Sequence, residues 1–489
     1  MSRLGEARRA AAATGRALLL ALVLLLPAAR SSAQPVVTDV FPAAEYAARR
    51  AKVMTAIGDA VAILQGTTER PGEQPLRQGN QFHYLSGVVA PRALLVIDGR
   101  AKRSTLYLEP ETERRVQVMF GPLIEPGDSA ARATGMDAVL AREEFANAVA
   151  ELAREGRTIY TPFRPEVLGS ASAGDVVKLA KATREDPWDG RISRVESFIA
   201  HLRERAPSSG IRDLDPILDT LRATKSPREI AVIREATRIT GLGIIEAMRD
   251  ARPGMYEYEL QADAEYVFKK HGSYGPAYFA LVATGRNTFY THYHKNTARL
   301  QDGDLVQFDY APDYRNYTSD VTRVFPANGK FTPRQRELYT IYLRLYQALM
   351  TSIRVHATPR EIVADAVVKM DSIMSSYRFT DPRIQDAAAR FVERYRKSEP
   401  RALGHTIGME VHDVRLPTPT LESGQLFTIE PQMTIPEEHI GIRLEDVILI
   451  TDTGYENLSA FVPVEIEDIE RAMAGPGLSD ALLRVPARR

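Results

Sequence analysis

The chain has 489 residues, carries 63 Lys plus Arg against 63 Asp plus Glu, and contains no cysteine. Balanced charge argues against nucleic acid as a partner, because binding a phosphate backbone needs a basic surface. The lack of cysteine excludes disulfide staples and thiolate ligands, so stability must come from large apolar cores and any metal must be held by nitrogen and oxygen.

Arg3, Arg8, Arg9 and Arg16 precede an apolar run from Ala17 to Leu26, then Pro27 and the small-residue stretch Ser31-Ser32-Ala33. This pattern predicts a secretory signal peptide over residues 1–33, cleaved after Ala33, and hence an exported, periplasmic or secreted protein. An uncleaved anchor is the competing reading, but the Ala17–Leu26 run is too short for about 30 Å of hydrocarbon, so no stable membrane anchor is expected. Removing five Arg and one Glu leaves a mature chain near −4, again unsuited to nucleic acid. A length of about 456 residues suits two domains.

Residues 38–210 read as one α/β unit: a helical stretch over Ala43–Leu64, short strands at RALLVID (92–98) and STLYL (104–108), then helices near Glu143–Glu155 and Glu196–Arg205. His83, set between aromatic neighbours, reads as a packed or surface residue and not a ligand. The turn-rich Ala206-Pro-Ser-Ser-Gly210 marks the boundary. A second unit over 215–472 opens with helices. Ser226-Pro227-Arg228-Glu229 and Thr332-Pro333-Arg334-Gln335 each place a hydroxyl at N-cap, Pro at N1 and Glu or Gln at N3. Strands are predicted at Tyr278–Ala283, Leu305–Tyr310, Ser319–Phe325, Leu426–Pro431 and Arg443–Thr451. The tail, residues 473–489, reads as surface-laid or disordered.

Acidic residues at the apolar strands carry the chemistry. Asp309 ends LVQFD, and Asp320 follows eleven residues later in YTSDVTRVF. A hairpin turned near Tyr314–Asn316 would set the two carboxylates side by side, which is costly unless cations neutralise them. Glu430 in QLFTIEP and Glu445 in GIRLEDVILI follow apolar runs where a solvated glutamate fits poorly. Asp446 points to the face opposite Glu445, and periodicity alone does not choose between them. His405, in LGHTIGMEVHD, offers an imidazole to such a cluster, with Gly404 and Gly408 letting the backbone pass close to it. His412, His292 and His294 are further candidates for proton transfer or for hydrogen bonding a substrate carbonyl. Four carboxylates and an imidazole form a hard, oxygen-rich set suited to two divalent cations.

The stretches ATGRNTFYTHYH, VQFDYAPDYRNYTSDVTRVFP, LGHTIGMEVHD, LFTIEP and GIRLEDVILITDTGYENLS, in this order, resemble the pita-bread metallopeptidases, and within them the Xaa-Pro aminopeptidase (aminopeptidase P) and prolidase branch. LRQGNQFHYLSG resembles that family's first-domain signature. The resemblance implies a two-domain α/β protein. Its C-terminal pita-bread (creatinase/aminopeptidase) fold would have a curved antiparallel sheet backed by helices, and its N-terminal creatinase-like domain would wall the second domain's active site. It implies that Asp309 binds one cation, Asp320 and Glu445 both, and His405 and Glu430 one each, with a bridging hydroxide as nucleophile. Glu430 would also handle that water's proton, His292 would act at the scissile carbonyl, and His412 would line the subsite for proline. Arg443 would pair with an acidic neighbour and steady the ligands. Manganese is the expected metal, with zinc and cobalt compatible, and a homodimer or tetramer is implied by resemblance alone.

Two positions depart from the family pattern. Arg401 stands where the branch has a histidine, and Thr434 where it has a tyrosine; both belong to the substrate wall. The leading expectation is removal of the N-terminal residue from peptides with proline second. A prolidase-like dipeptidase, with Arg401 gripping the free C-terminus, is the alternative. A hydrolase of non-proline peptides or other amides, and a non-catalytic binding module, complete the set.

Overall fold

The computed structural model describes residues 40–68, 75–110, 124–167, 172–397 and 403–478. The expected leader (1–33), Arg401 and the last part of the tail (479–489) lie outside the described residues. No helix among the described residues is long and apolar enough to cross a membrane.

The first unit is built on a mixed sheet of β1 (Val61–Gln65), β2 (Leu94–Asp98), β3 (Arg103–Leu108), β4 (Ala138–Ala141), β5 (Ile159–Thr161) and β6 (Ile211–Asp213), ordered β4-β3-β2-β1-β5-β6. The expected helix over Ala43–Leu64 is shorter: it ends at Ile57, where Gly58 turns the chain with φ +60°, and VAILQ continues as β1. The reason is burial on both sides. Val61 and Ile63 enter a small core with Val149, Leu152 and Ile159, while Ala62 and Leu64 enter the main one. A strand covered on both faces reads as a continuous apolar run and loses its alternation. β6 pairs in parallel with β5, so the first sheet extends past the Ala206–Gly210 turn to Asp213. His83 is buried on the helix Asn80–Ser86, edge-on to Tyr46 at 6.2 Å, and so is packed.

The second unit begins as its caps predict. Ser226 Oγ accepts from the Glu229 N–H at 3.2 Å, Glu229 accepts from the Ser226 N–H at 2.9 Å, and the helix Pro227–Asp250 follows. Thr332 and Gln335 repeat the arrangement ahead of the helix Pro333–Met350. The strands β7 (Gly275–Pro276) and β10 (Pro312–Asp313) form a short pair. β8 (Leu281–Thr284), β9 (Leu305–Asp309) and β11 (Thr322–Pro326) make an antiparallel ladder with β9 in the middle. The expected strands Leu426–Pro431 and Arg443–Thr451 are each interrupted. They appear as β12 (Leu426–Ile429) and β13 (Gln432–Ile435), and as β14 (Ile440–Arg443) and β15 (Asp446–Thr451), with β16 (Gly454–Asn457) at the edge.

Arg323 and Asp446 tie the ladders together behind the site. Arg323 is fully buried; its guanidinium donates to the Glu445 carbonyl at 2.8 Å and to Asp446 Oδ1 at 2.7 Å. Tyr346 and Ser459 hydroxyls complete the shell of Asp446. Asp446 therefore faces the core and Glu445 the opposite side. Arg323→Met would strand a buried carboxylate, at a cost of about 3–5 kcal/mol. Urea unfolding should show a loss of that size, and an unchanged midpoint would contradict the assignment.

Candidate metal centre

Asp309 and Asp320 meet across a tight hairpin. Tyr314 and Tyr317 exchange backbone hydrogen bonds of 2.8 and 3.0 Å, and Arg315 and Asn316 between them have φ of +55° and +66°. Two central residues with positive φ suit the twist of a two-residue hairpin turn. The turn lies where the sequence places it. Asp309 is the last residue of β9, opposite Thr322, and Asp320 sits just ahead of β11. The buried Tyr278 hydroxyl lies 2.7 Å from both Asp309 Oδ1 and Asp320 Oδ1, so it stitches the two carboxylates together.

Glu430 and Glu445 also face one another. β12 pairs with β15 up to Ile429–Asp446, and β13 pairs with β14 from Gln432–Arg443 onward. The two ladders share one register, which sets Glu430 opposite Glu445 and Pro431 opposite Leu444 in the gap. The four carboxylates therefore come from the ends and breaks of strands and not from their middles. Pro431 has no N–H to give to a ladder, which suits a break at this point.

His405 closes the ring. Its Nε2 lies 3.4 Å from Asp320 Oδ2, 3.5 Å from Glu430 Oε1 and 3.8 Å from Glu445 Oε1. Asp320, His405 and Glu445 present ligand atoms within 4.8 Å of one another. Arg443 pairs with Asp309 from behind, and Thr322 donates to Glu445 Oε2 at 2.8 Å. Glu445 Oε1 is buried with no hydrogen-bond partner. Burial, then the neighbouring carboxylates, pushes the carboxyls of Asp320 and Glu445 well above the usual range. An unpartnered buried oxygen facing like charges and an imidazole is the chemistry of a site that takes divalent cations. The residues fit such ions, which Asp320, His405 and Glu445 would hold, with Asp309 and Glu430 beside them.

The loop carrying His405 is held from both units. A Cβ at Gly404 would meet the Thr428 backbone of β12 and one at Gly408 would meet Asp413, so both glycines allow close packing of this loop. Asp413 pairs with Arg222 at 2.5 Å and Lys225 at 3.0 Å, and Asn80 donates to Glu410 at 3.1 Å. His412 lies against His405, ring centroids 4.0 Å apart and tilted by 49°, and makes a backbone bridge with Ser172 of the first unit. Burial, then His405, lowers its pKa to about 4.

His292 and His294 are exposed and lie on an irregular segment, not a strand. His294 Nδ1 contacts the His292 carbonyl at 2.8 Å and its ring packs on Phe279. The His292 ring lies edge-on to Phe279, centroids 6.3 Å apart. Thr434 lies on β13, paired with Gly441. Sequence reading missed the roles of Tyr278 and Thr322. Thr322 had a usable signal, because it sits on the strand opposite Asp309, whereas Tyr278 lies too far upstream for spacing to connect it. Asp320→Ala removes the carboxylate at the middle of the ring and should lose most of about two metal equivalents per chain, measured by elemental analysis after reconstitution. Full metal content in that variant would contradict the site.

Residues 231–452 match the model of metallopeptidase family M24, and residues 46–160 match that of the aminopeptidase P N-terminal domain. An Xaa-Pro aminopeptidase of Escherichia coli is 32% identical over 431 residues, covering 83% of this chain and 91% of that protein. The solved proline aminopeptidase P II of Yersinia pestis superposes with a TM-score of 0.70 at 32% identity, covering 89% of this chain and all of the other. An Xaa-Pro dipeptidase of Pyrococcus furiosus is 27% identical over 289 residues, covering 58% of this chain and 76% of that protein. Two family matches in the expected order, with near-complete coverage of relatives above 30% identity, place this chain in metallopeptidase family M24, in the aminopeptidase P branch.

Proposed function

We propose that this protein is an Xaa-Pro aminopeptidase that releases the N-terminal residue from peptides whose second residue is proline. The observation that carries the reading is the ring of Asp320, His405 and Glu445, with ligand atoms within 4.8 Å, completed by Asp309 and Glu430. Two cations bound there, of which manganese is our choice, supply Lewis acidity and an activated water at neutral pH. The Escherichia coli and Yersinia pestis aminopeptidases named above, matched over 91% and all of their length, support the substrate class.

The protein's own groups then divide the work. Glu430 has the most exposed carboxylate of the ring, 28% against 1% for Glu445, so it is the one able to pass a proton to solvent or substrate. His412, with its pKa lowered to about 4, is neutral at pH 7 and offers an uncharged imidazole beside the ring. His292, exposed beside Phe279, is the imidazole that the family resemblance assigns to the scissile carbonyl. The leader pattern supports export, and the family resemblance an oligomer.

Substrate length tests the reading. With equal metal loading, an Xaa-Pro-Yaa tripeptide should be cleaved with a kcat/KM about tenfold or more above the Xaa-Pro dipeptide, equivalent to ~1.4 kcal/mol of transition-state binding. A preference for the dipeptide that Arg401→Ala abolishes would instead establish a dipeptidase.

A further inference from the structure

We infer that Tyr342 is a positioning residue for the cation ligands, through a hydroxyl inserted into the strand break from which Glu430 and Glu445 project. Tyr342 lies fully buried on the helix Pro333–Met350. Its hydroxyl accepts from the Leu444 N–H at 2.7 Å and donates to the Pro431 carbonyl at 2.6 Å. Pro431 follows Glu430 and Leu444 precedes Glu445, and the shared register of the two ladders sets these pairs opposite one another. The Leu444 N–H and the Pro431 carbonyl are the groups that would bond directly if the ladder ran on. Instead each bonds to one phenol oxygen, which holds the strands apart while leaving neither buried group unsatisfied.

The consequence reaches the cations. A strand pair held open by one oxygen fixes the backbone on both sides of the ring, one residue from each glutamate. Removing that oxygen leaves a buried donor and a buried acceptor that can recover only by closing on one another, and that closure moves Glu430 and Glu445 together. Groups that orient ligands in this way typically contribute about 10–100-fold in metal affinity. Tyr346 supplies an internal comparison. It lies one helical turn along, equally buried, and its hydroxyl bonds Asp446 Oδ2 at 2.5 Å on the face away from the ring.

The inference rests on the metal-centre reading, and the experiment separates the two. Metal-free wild type, Tyr342→Phe and Tyr346→Phe are titrated with cobalt(II), reading both calorimetric affinity and the cobalt visible absorption. The expected result is about a 10–100-fold weaker affinity and an altered spectrum for Tyr342→Phe. Tyr346→Phe should bind as the wild type does, although both variants lose thermal stability. Wild type that binds no cobalt would remove the metal centre itself. Wild type that binds two ions, with Tyr342→Phe indistinguishable from it, would overturn the positioning role. So would a Tyr342→Phe chain that fails to fold while Tyr346→Phe folds, because the hydroxyl would then serve the fold and not the ligands.

Discussion

Asp309, Asp320, Glu430 and Glu445 converge on a space where, among the described residues, Arg443 brings a guanidinium, which engages Asp309 from behind. Four carboxylates taken out of water together repel one another and lose hydration, and one guanidinium does not offset that. Much of the second unit arranges donors at the backs of these groups. Tyr278 bridges the aspartates, Thr322 holds one oxygen of Glu445, and Arg323 grips the Glu445 carbonyl. What remains unpartnered points inward, as Glu445 Oε1 does. The fold thus presents oxygen atoms to a place that only positive charge can satisfy.

The scaffold achieves this by interrupting its own sheet. A carboxylate in the middle of a ladder would stand perpendicular to the strands, at a spacing set by the pleat. Each acidic ligand here instead sits at a strand end or in a gap, where side chains of neighbouring strands turn toward a common centre. His405 arrives from a loop that belongs to neither ladder. That loop is fixed by buried charge pairs to Arg222 and Lys225 and by Asn80 of the first unit. The first unit therefore contributes to the site without supplying a ligand, through Asn80 on Glu410 and the Ser172 bridge to His412.

Much of this was legible in the sequence because it depends on local chemistry. The caps at Ser226 and Thr332 declared their helices, and the polar residues between two apolar runs declared the Asp309–Asp320 hairpin. The ligand set followed from acidic residues in apolar surroundings together with the family resemblance. The breaks at Glu430-Pro431 and Leu444-Glu445 were not legible. Register and alternation continue unchanged across them, so periodicity has nothing to detect. β1 was hidden for a related reason, since burial on both faces erased the alternation that distinguishes it from the preceding helix. Tyr278 and Tyr342 escaped because their meaning lies in where one hydroxyl points, and a tyrosine in an apolar segment reads equally well as packing.

The central claim is that buried like charge is what the cations relieve, and pH tests it directly. In the metal-free chain the raised carboxyls of Asp320 and Glu445 favour the protonated folded state. In the unfolded chain such groups ionise near pH ~4. Their stabilising contribution is thus complete below that value and is lost as pH rises through the elevated folded values. Divalent cations bind the ionised carboxylates, so they restore more stability the higher the pH. The measurement is the melting temperature of metal-free and metal-saturated protein from about pH 5 to pH 8. The account predicts that the metal-free value falls across this range while the increment due to metal grows. A metal-free melting temperature that rises with pH, with an increment that stays constant, would contradict it.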